Sequence, residues 1–516
     1  MRSSSTPPPE APRVLVIGGG IAGLAAAARL LGVLGGGGAG AGAGVGTGAG
    51  ADGPVVRPHV TLLDEADRFG GKLRPGEVGG IAVDLGAESM LARRPEAVEL
   101  ARSAGLGPEL EPPTTAKAAI WTRGALRPMP TGHVMGVPGD LNALAATGVI
   151  SPEGMRRIRA DLSAPATEVG EDVAIGEYVA ARVGREVVDR LVDPLLGGVY
   201  AGHADRISMR AAVPQLLPVA QRERSLVEGV RGILARAAQS SAAAPGTPPA
   251  PVFQGVRGGL GRLPGAVAAA CREAGGELRT GTGVKELRRT PDGWRAVTTG
   301  GEELAADAVV LAVPAAAAAR LLAAEAPAAA GELGAVEYAS MALVTLVFQR
   351  SALGAGGADG VPPGSGFLVP PVDGRRIKAA TFSSNKWGWL AESAPDSFVL
   401  RTSFGRHGEA EALELPDEEL VAAALGDLRE AAGIHALPYA STVTRWYGGL
   451  PQYPAGHLDR VARIRELARK LPDLALCGAA YDGVGIPACV GSGRRAADDV
   501  LSGLSRHPRT ERTTER

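Results

Sequence analysis

Three glycines near the N terminus have the spacing of a phosphate-binding turn. Gly18, Gly20 and Gly23 form a G-x-G-x-x-G pattern between an apolar run at 14–17 and an apolar stretch at 21–31. The first glycine of this pattern permits a tight turn, the second lets the backbone approach a pyrophosphate, and the third lets helix and strand pack closely. The helix that begins at Ile21 and Ala22 would offer free N–H groups and a positive dipole to two phosphates. Because both flanks fit, we prefer a dinucleotide site to a chance turn in a glycine-rich chain.

An acidic pair follows the next apolar strand. Residues 59–63 read as that strand and lead into Asp64 and Glu65, where an acid would bind the adenosine ribose. The separation from the glycines is roughly twice the usual value of about twenty residues. The Gly/Ala-rich segment 32–54 accounts for the excess, and we expect it to be a disordered surface insertion. Either acid could fill the role, and a solvated pair at a strand end is the alternative.

A second glycine-edged helix start lies near the C terminus. Residues 474–477 read as a strand ending at Gly478, and Gly485, Ile486 and Pro487 lead into a helix whose first turn tolerates proline. The positive end of this helix would stabilise a reduced flavin, which is anionic at its pyrimidine edge. A purely structural strand–helix unit is the other interpretation.

Strand–helix units at both ends of the chain must position these segments. They predict an α/β fold with α+β insertions, in which a discontinuous Rossmann-like domain binds the dinucleotide. Helical periodicity dominates residues 93–235, whereas 336–349, 366–383 and 397–404 alternate like strands of an antiparallel sheet. Trp387 and Trp389 are expected on one face of a strand.

Composition excludes several classes of protein. The net charge of −1 leaves no electrostatic footprint for nucleic acid. Three cysteines without pairing spacing argue against disulfides and zinc ribbons and favour a cytoplasmic location. No strongly apolar stretch is long enough to span a bilayer. His203, Asp205 and Glu223 lack metal-ligand spacing, so we expect no metal.

The acid-to-glycine segment resembles the FAD-dependent amine oxidase superfamily, whose second strand ends in an acid followed closely by R-x-G-G. Asp64, Arg68 and Gly71 fit that arrangement, which favours Asp64 over Glu65 as the acid. Within the superfamily the chain looks like a porphyrinogen oxidase of the Gram-positive bacterial type. Five further segments carry this resemblance in order, namely 83–95 (VDLGAESMLARRP), 194–202 (PLLGGVYAG), 381–387 (TFSSNKW), 446–457 (WYGGLPQYPAGH) and 477–487 (CGAAYDGVGIP).

The resemblance implies three domains and two tails. An FAD-binding domain would comprise 12–92, 250–315 and 460–504, a helical domain 93–212, and a substrate-binding domain built on a mixed sheet 213–249 and 316–459, with disordered tails at 1–11 and 505–516. The FAD contacts that it implies are Gly18, Gly20, Ile21, Ala22, Gly23, Asp64, Glu65, Arg68, Gly71, Lys72, Gly86, Ala87, Glu88, Ser89, Val284, Trp446, Gly478, Gly485, Ile486 and Pro487. The substrate contacts are expected at Lys117, Tyr200, Trp387 and Tyr453.

The resemblance also implies the chemistry. The flavin would take six electrons from coproporphyrinogen III in three rounds and pass them to oxygen, so no catalytic side chain is assigned. His457 is expected to pack structurally rather than act as a base. Partners would be the porphyrinogen and oxygen, with at most weak peripheral membrane contact and a possible transient contact with a ferrochelatase.

Three other functions stay open at this point. Protoporphyrinogen IX is the alternative substrate. It carries two propionates and two vinyl groups, whereas coproporphyrinogen carries four propionates. An amine oxidase or carotenoid desaturase would use the same fold on another substrate. A flavin-binding protein without catalytic activity is the alternative outside the enzymes.

Overall fold

The structure is a computed structural model that describes residues 11–35, 57–242, 251–354 and 361–506. The insertion predicted over 32–54 lies outside these ranges except for its first four residues, and most of the two predicted tails lie outside them as well. Ser505 and Arg506, predicted in the C-terminal tail, instead end the last helix. This helix is amphipathic and 21 residues long, and its helical conformation continues through these two exposed residues, further than the polar composition of the chain end indicated.

Five parallel strands form the central sheet. In spatial order they are Glu277–Arg279, His59–Leu63, Arg13–Ile17, Ala308–Leu311 and Leu474–Leu476. All four residues of Ala308–Leu311 are buried, because both faces of the sheet are covered. One face carries the helices Ile21–Leu30, Arg262–Glu273 and Ile486–Arg506. These elements confirm the predicted α/β fold and its two terminal strand–helix units.

The second face of this sheet packs on a three-stranded antiparallel sheet and on further helices. The strands are Val284–Thr290, Gly293–Thr298 and Glu303–Ala306, and the helices are Ala315–Leu322, Pro327–Gly334 and His457–Ala468. Trp294 is 1% exposed at the centre of this interface. The antiparallel sheet and these helices thus close the second face of the parallel sheet.

A seven-stranded mixed sheet forms the other large layer. In spatial order its strands are Ala440–Pro451, Tyr338–Gln349, Ser397–Phe404, Ala379–Thr381, Gly366–Leu368, Ala118–Thr122 and Ala125–Pro128. Gly366–Leu368 pairs in parallel with Ala118–Thr122, and the other pairs are antiparallel. The long helix Asp417–Ala432 covers one face. The predicted antiparallel strands are present in this layer.

The expectation that Trp387 and Trp389 share a strand face was wrong. The chain forms two short helices here, Ser383–Lys386 and Gly388–Ser393, and both indole rings are buried. They pack with Val78, Ile81 and Val399 in one apolar cluster. Two tryptophans two residues apart fit one face of a strand. Two short helices enclosed by apolar side chains also bury both rings, so the spacing alone does not decide between strand and helix.

The helical layer has its own core. Its helices are Leu141–Thr147, Pro152–Ala160, Ile175–Val183, Arg185–Val187, Asp193–Tyr200, Met209–Ala212, Leu217–Arg222 and Leu226–Ala242, with a π-helical segment at Val188–Val192. Leu216, Val227 and Val230 belong to this core, although 213–249 was expected to join the substrate-binding domain. Conversely, Pro95–Ser103 packs on the nucleotide-binding layer rather than here. Apolar periodicity identifies a buried face but not its partner, so the three-domain division stays a prediction.

The remaining elements are short connections between these layers. They are the strands Pro75–Val78, Ile81–Asp84, Met90–Leu91, Leu110–Glu111, His133–Val134, Val137–Pro138 and Phe253–Val256, the helix Ala479–Asp482, and the 3₁₀ turns Gly107–Glu109, Arg350–Leu353, Pro371–Asp373 and Ala410–Leu413. Among the described residues, no helix combines the length and apolar character needed to cross a membrane.

Candidate active site

A cavity of about 570 Å³ lies where all five parallel strands end. Its lining includes a residue at or just after the carboxyl end of each strand, namely Ile17, Leu63, Thr282, Ala312 and Gly478. Ligands of open α/β sheets bind at this edge, because helix N-termini and loops converge there. The sheet therefore places the cavity where a dinucleotide would bind.

The three glycines of the N-terminal turn serve different purposes. Gly18 has a φ of +106°, and a Cβ atom there would lie 2.6 Å from the carbonyl oxygen of Ala312. A Cβ at Gly23 would lie 1.8 Å from the carbonyl oxygen of Gly18, so helix and strand need this glycine to pack. A Cβ at Gly20 would meet no atom within 4 Å. The fold thus needs the first and third glycines, whereas the second leaves open space at the cavity wall.

The acid after the second strand touches this turn. One carboxylate oxygen of Asp64 accepts a hydrogen bond from the Gly19 amide at 2.5 Å, and the other accepts one from the Ala66 amide at 2.8 Å. Asp64 and Glu65 both line the cavity. Asp64 therefore both fixes the glycine turn and lines the cavity, whereas Glu65 lines the cavity but is exposed.

The R-x-G-G segment forms the adjacent wall. Gly71 and Lys72 line the cavity, but Arg68 does not. The Arg68 guanidinium instead donates to the carbonyl oxygens of Phe69, Gly71 and Leu73, at distances between 2.7 and 3.3 Å, and so holds the loop closed. Lys72 is exposed in the open cavity, and partial desolvation by the surrounding wall lowers its pKa.

The turn at 84–89 supports this wall from behind. Ala87 lines the cavity, whereas Gly86, Glu88 and Ser89 do not. A Cβ at Gly86 would lie 1.9 Å from the Lys72 carbonyl oxygen, so the two segments are in direct contact. Glu88 forms ion pairs with Lys386 at 2.8 Å and Arg401 at 3.2 Å. Burial acts to raise the pKa of Glu88, but the two cations outweigh it and lower the pKa to about 2.

The C-terminal segment closes the far end of the cavity. Gly478 and Ile486 line it, and Cys489 does so from the first turns of the last helix. Gly485 and Pro487 do not line it, although the Gly485 carbonyl accepts the first hydrogen bond of this helix, from the Cys489 amide. Trp446 also lies outside, and its indole N–H donates to the Leu85 carbonyl at 3.1 Å. Gly478 and Ile486 therefore bring the second helix start to the same cavity as the first.

The sequence missed several lining residues. Val284 was predicted, but its neighbours Thr282, Gly283 and Lys285 were not, nor were Thr299, Ala312, Val313, Pro314, Ala317, Arg320, Tyr338, Gly449, Leu450, Pro451 and Cys489. The segment 312–314 could have been found, because it follows an apolar strand directly. Tyr338 and 449–451 belong to the mixed sheet, and no local signal connects them with the glycine turn.

None of the four predicted substrate contacts lines this cavity. Trp387 is a core residue, 2% exposed. Lys117 is exposed beside Ser365, whose backbone N–H donates to its carbonyl oxygen. Tyr453 packs against Tyr200, with ring centroids 5.5 Å apart, and its hydroxyl donates to the carbonyl oxygen of Ala479, a lining residue. The two tyrosines therefore support the cavity wall from outside.

His457 has a structural environment. Its ring stacks on Tyr453 at a centroid distance of 4.3 Å, and its Nε2 donates to the Ala480 carbonyl at 3.0 Å. Burial lowers the pKa of His457 to about 4, so the ring is neutral at pH 7. In the part of the chain that the structure describes, no group of three or more His, Cys, Asp or Glu residues could hold a metal ion.

Similarity to known proteins agrees with this geometry. A coproporphyrinogen III oxidase from Mycobacterium tuberculosis is 36% identical over 491 residues, which cover 95% of this chain and 97% of that protein. The human protoporphyrinogen oxidase is 28% identical, with coverage of 95% and 98%. A crystal structure of a protein from Exiguobacterium sp. 255-15 matches with a TM-score of 0.78 and 31% identity over 96% of this chain and 99% of that one. Residues 21–501 match the flavin containing amine oxidoreductases, and the chain belongs to this family.

Proposed function

We propose that this protein is an FAD-dependent coproporphyrinogen III oxidase of haem biosynthesis, an oxygen-dependent flavoprotein oxidoreductase that acts on CH–CH groups. It would convert coproporphyrinogen III to coproporphyrin III and produce hydrogen peroxide. The observation that carries the proposal is the 36% identity, almost end to end, with a relative of that name.

The cavity supports FAD as the cofactor. The first turn of Ile21–Leu30 has no side-chain cap, so its amide groups are free to bind the pyrophosphate beside Gly20. Asp64 lies next to this turn, in reach of the adenosine ribose. The isoalloxazine ring would then occupy the end lined by Lys72, Val484 and Cys489. The same cavity thus offers a place for each part of the dinucleotide.

The protein would contribute binding and orientation to the reaction. When bound, FAD accepts a hydride in each of three rounds and returns the electrons to oxygen. The Lys72 ammonium and the positive end of the last helix, which begins at Ile486, both favour negative charge on the reduced ring. Tyr453 and His457 hold the Ala479–Ala480 segment of this wall in place.

The experiment measures turnover of purified protein on both porphyrinogens with oxygen as acceptor. We expect yellow protein with bound FAD, fluorescent coproporphyrin as product, and hydrogen peroxide formed with it. Failure to convert coproporphyrinogen would refute the proposal. Yellow protein that neither porphyrinogen reduces would favour an amine oxidase, a carotenoid desaturase or a flavoprotein without this catalysis.

Protoporphyrinogen IX is the second candidate substrate. It is favoured by the similarity over nearly the whole chain to the human protoporphyrinogen oxidase, at lower identity. Coproporphyrinogen carries four propionates and protoporphyrinogen two, so the former needs more cationic surroundings. Lys117 stays a predicted propionate contact. A higher kcat/KM for protoporphyrinogen would support this candidate.

We further propose a cytoplasmic location, because all three cysteines are free and buried. Transient contact with a ferrochelatase and weak peripheral contact with membranes remain predictions from the resemblance. Co-sedimentation with lipid vesicles and with a purified ferrochelatase would test both contacts.

A further inference from the structure

Arg401 connects the mixed sheet with the turn behind the cavity wall. It lies on the strand Ser397–Phe404, and its side chain is 11% exposed. One terminal nitrogen donates to the carbonyl oxygens of Asp84 at 2.8 Å and Gly86 at 2.7 Å, and the other lies 3.2 Å from a carboxylate oxygen of Glu88. A single guanidinium thus contacts three alternate residues of the 84–88 turn, namely Asp84, Gly86 and Glu88.

This turn sets the position of two cavity-lining residues. The Ala87 amide donates to the Lys72 carbonyl at 3.2 Å, and Gly86 is too close to that carbonyl to accept a Cβ atom. Ala87 and Lys72 both line the cavity. Because the segments are in direct contact, a shift of the Gly86 backbone would move both residues relative to a bound ring.

The surrounding charges hold Arg401 in this orientation. Glu88 is 7% exposed and also accepts hydrogen bonds from Lys386 at 2.8 Å and from the Ser383 hydroxyl at 3.2 Å. The Asp84 carboxylate accepts hydrogen bonds from two backbone amides of another loop, those of Leu260 and Gly261. Arg401 therefore donates to the backbone carbonyl of Asp84 rather than to its carboxylate.

We propose that Arg401 is a positioning residue for the flavin, which acts by holding the Asp84 and Gly86 carbonyls and thereby the Ala87 and Lys72 wall. This inference rests on the proposed function and deepens it. Lysine cannot replace the arginine fully, because a single ammonium lacks the planar fork of donors.

Arg445 provides a matched control on the strand Ala440–Pro451, which the strand Tyr338–Gln349 separates from that of Arg401. Its guanidinium donates to the Leu413 and Leu415 carbonyls at 2.8 and 2.6 Å and forms an ion pair with Asp417 at 2.5 Å. It therefore also holds two carbonyls and one carboxylate. None of these partners lines the cavity.

The experiment compares Arg401→Lys and Arg401→Met with Arg445→Lys and Arg445→Met as purified holoproteins. The readouts are the rate of FAD release on dilution, followed by flavin fluorescence, the visible flavin spectrum, and thermal unfolding. We expect FAD release at least tenfold faster and a shifted spectrum for the Arg401 variants. The Arg445 variants should stay within twofold of the wild type and keep its spectrum.

Two results would overturn this inference and leave the proposed function intact. One is folded Arg401→Lys protein with wild-type FAD release and spectrum, and the other is an equal change in the Arg401 and Arg445 variants. If Arg401→Met does not fold, Arg401→Lys decides, because it keeps the charge next to Glu88. Wild-type protein that holds no FAD would overturn the proposed function and this inference with it.

Discussion

Replacing Gly20 by alanine separates the needs of the fold from the needs of the cofactor. Gly20 has φ −65° and ψ 175°, a conformation open to any residue. Its added Cβ atom would meet nothing within 4 Å in the protein, and the residue lines the cavity. The new methyl group would therefore occupy space that the protein leaves free and that the pyrophosphate would use.

The substitution should leave the free energy of unfolding nearly unchanged and weaken the binding of FAD. A Gly→Ala change at a compatible φ stabilises a protein by about 0.4–1 kcal/mol, because it restricts the unfolded chain. Gly20 is, however, the N-cap of Ile21–Leu30, where alanine is less favourable than glycine by a similar amount. Overpacking by one methyl group against a ligand costs about 1–3 kcal/mol. The second figure corresponds to an FAD affinity roughly 5- to 150-fold weaker.

The assay combines urea unfolding of the flavin-free protein with an FAD titration followed by fluorescence. Gly265→Ala is the matched control, since its Cβ also meets nothing within 4 Å but the residue lies outside the cavity lining. Gly23→Ala should fail to fold normally, because its Cβ would lie 1.8 Å from the Gly18 carbonyl oxygen. Wild-type FAD affinity in folded Gly20→Ala protein would refute the assignment of the cavity to the pyrophosphate.

Two further predictions concern charged groups. Asp64→Asn should weaken FAD binding roughly 10- to 150-fold, because it removes the charge from a carboxylate that orders the Gly19 turn and would bind the ribose, and hydrogen bonds to a charged group contribute about 1.5–3 kcal/mol. Glu65→Gln should change the affinity little, and a larger effect at Glu65 in the same titration would reverse the assignment of the acid. Burial, with a smaller contribution from Arg406, lowers the pKa of Lys378 from 10.5 to about 7. The unfolded chain therefore binds more protons than the folded protein between these values, and stability should rise with pH across this window. Lys378→Met should abolish that rise in urea unfolding at pH 7 and pH 9.5, and an identical pH dependence in the two proteins would contradict the reasoning.

Local patterns were sufficient where one short segment specifies its own geometry. The glycine turn, the acid after the second strand and the second helix start all follow from backbone conformation and strand–helix alternation. Gly20, Asp64, Lys72 and Ile486 line one cavity, and their contact with FAD stays a prediction.

The tertiary structure decided which side chains face that cavity. Glu88 was predicted to contact the cofactor, yet it pairs with Lys386, 298 positions away in the chain. Arg68 holds its own loop, and Trp387, a predicted substrate contact, packs in an apolar cluster of the core. A buried charge takes the nearest opposite charge that folding brings to it, and a buried ring takes whichever apolar surface closes over it. Such partners come from distant segments of the chain. The sequence therefore determines which strands and helices surround the cavity, whereas the packing of the layers against each other determines which side chains reach the cavity.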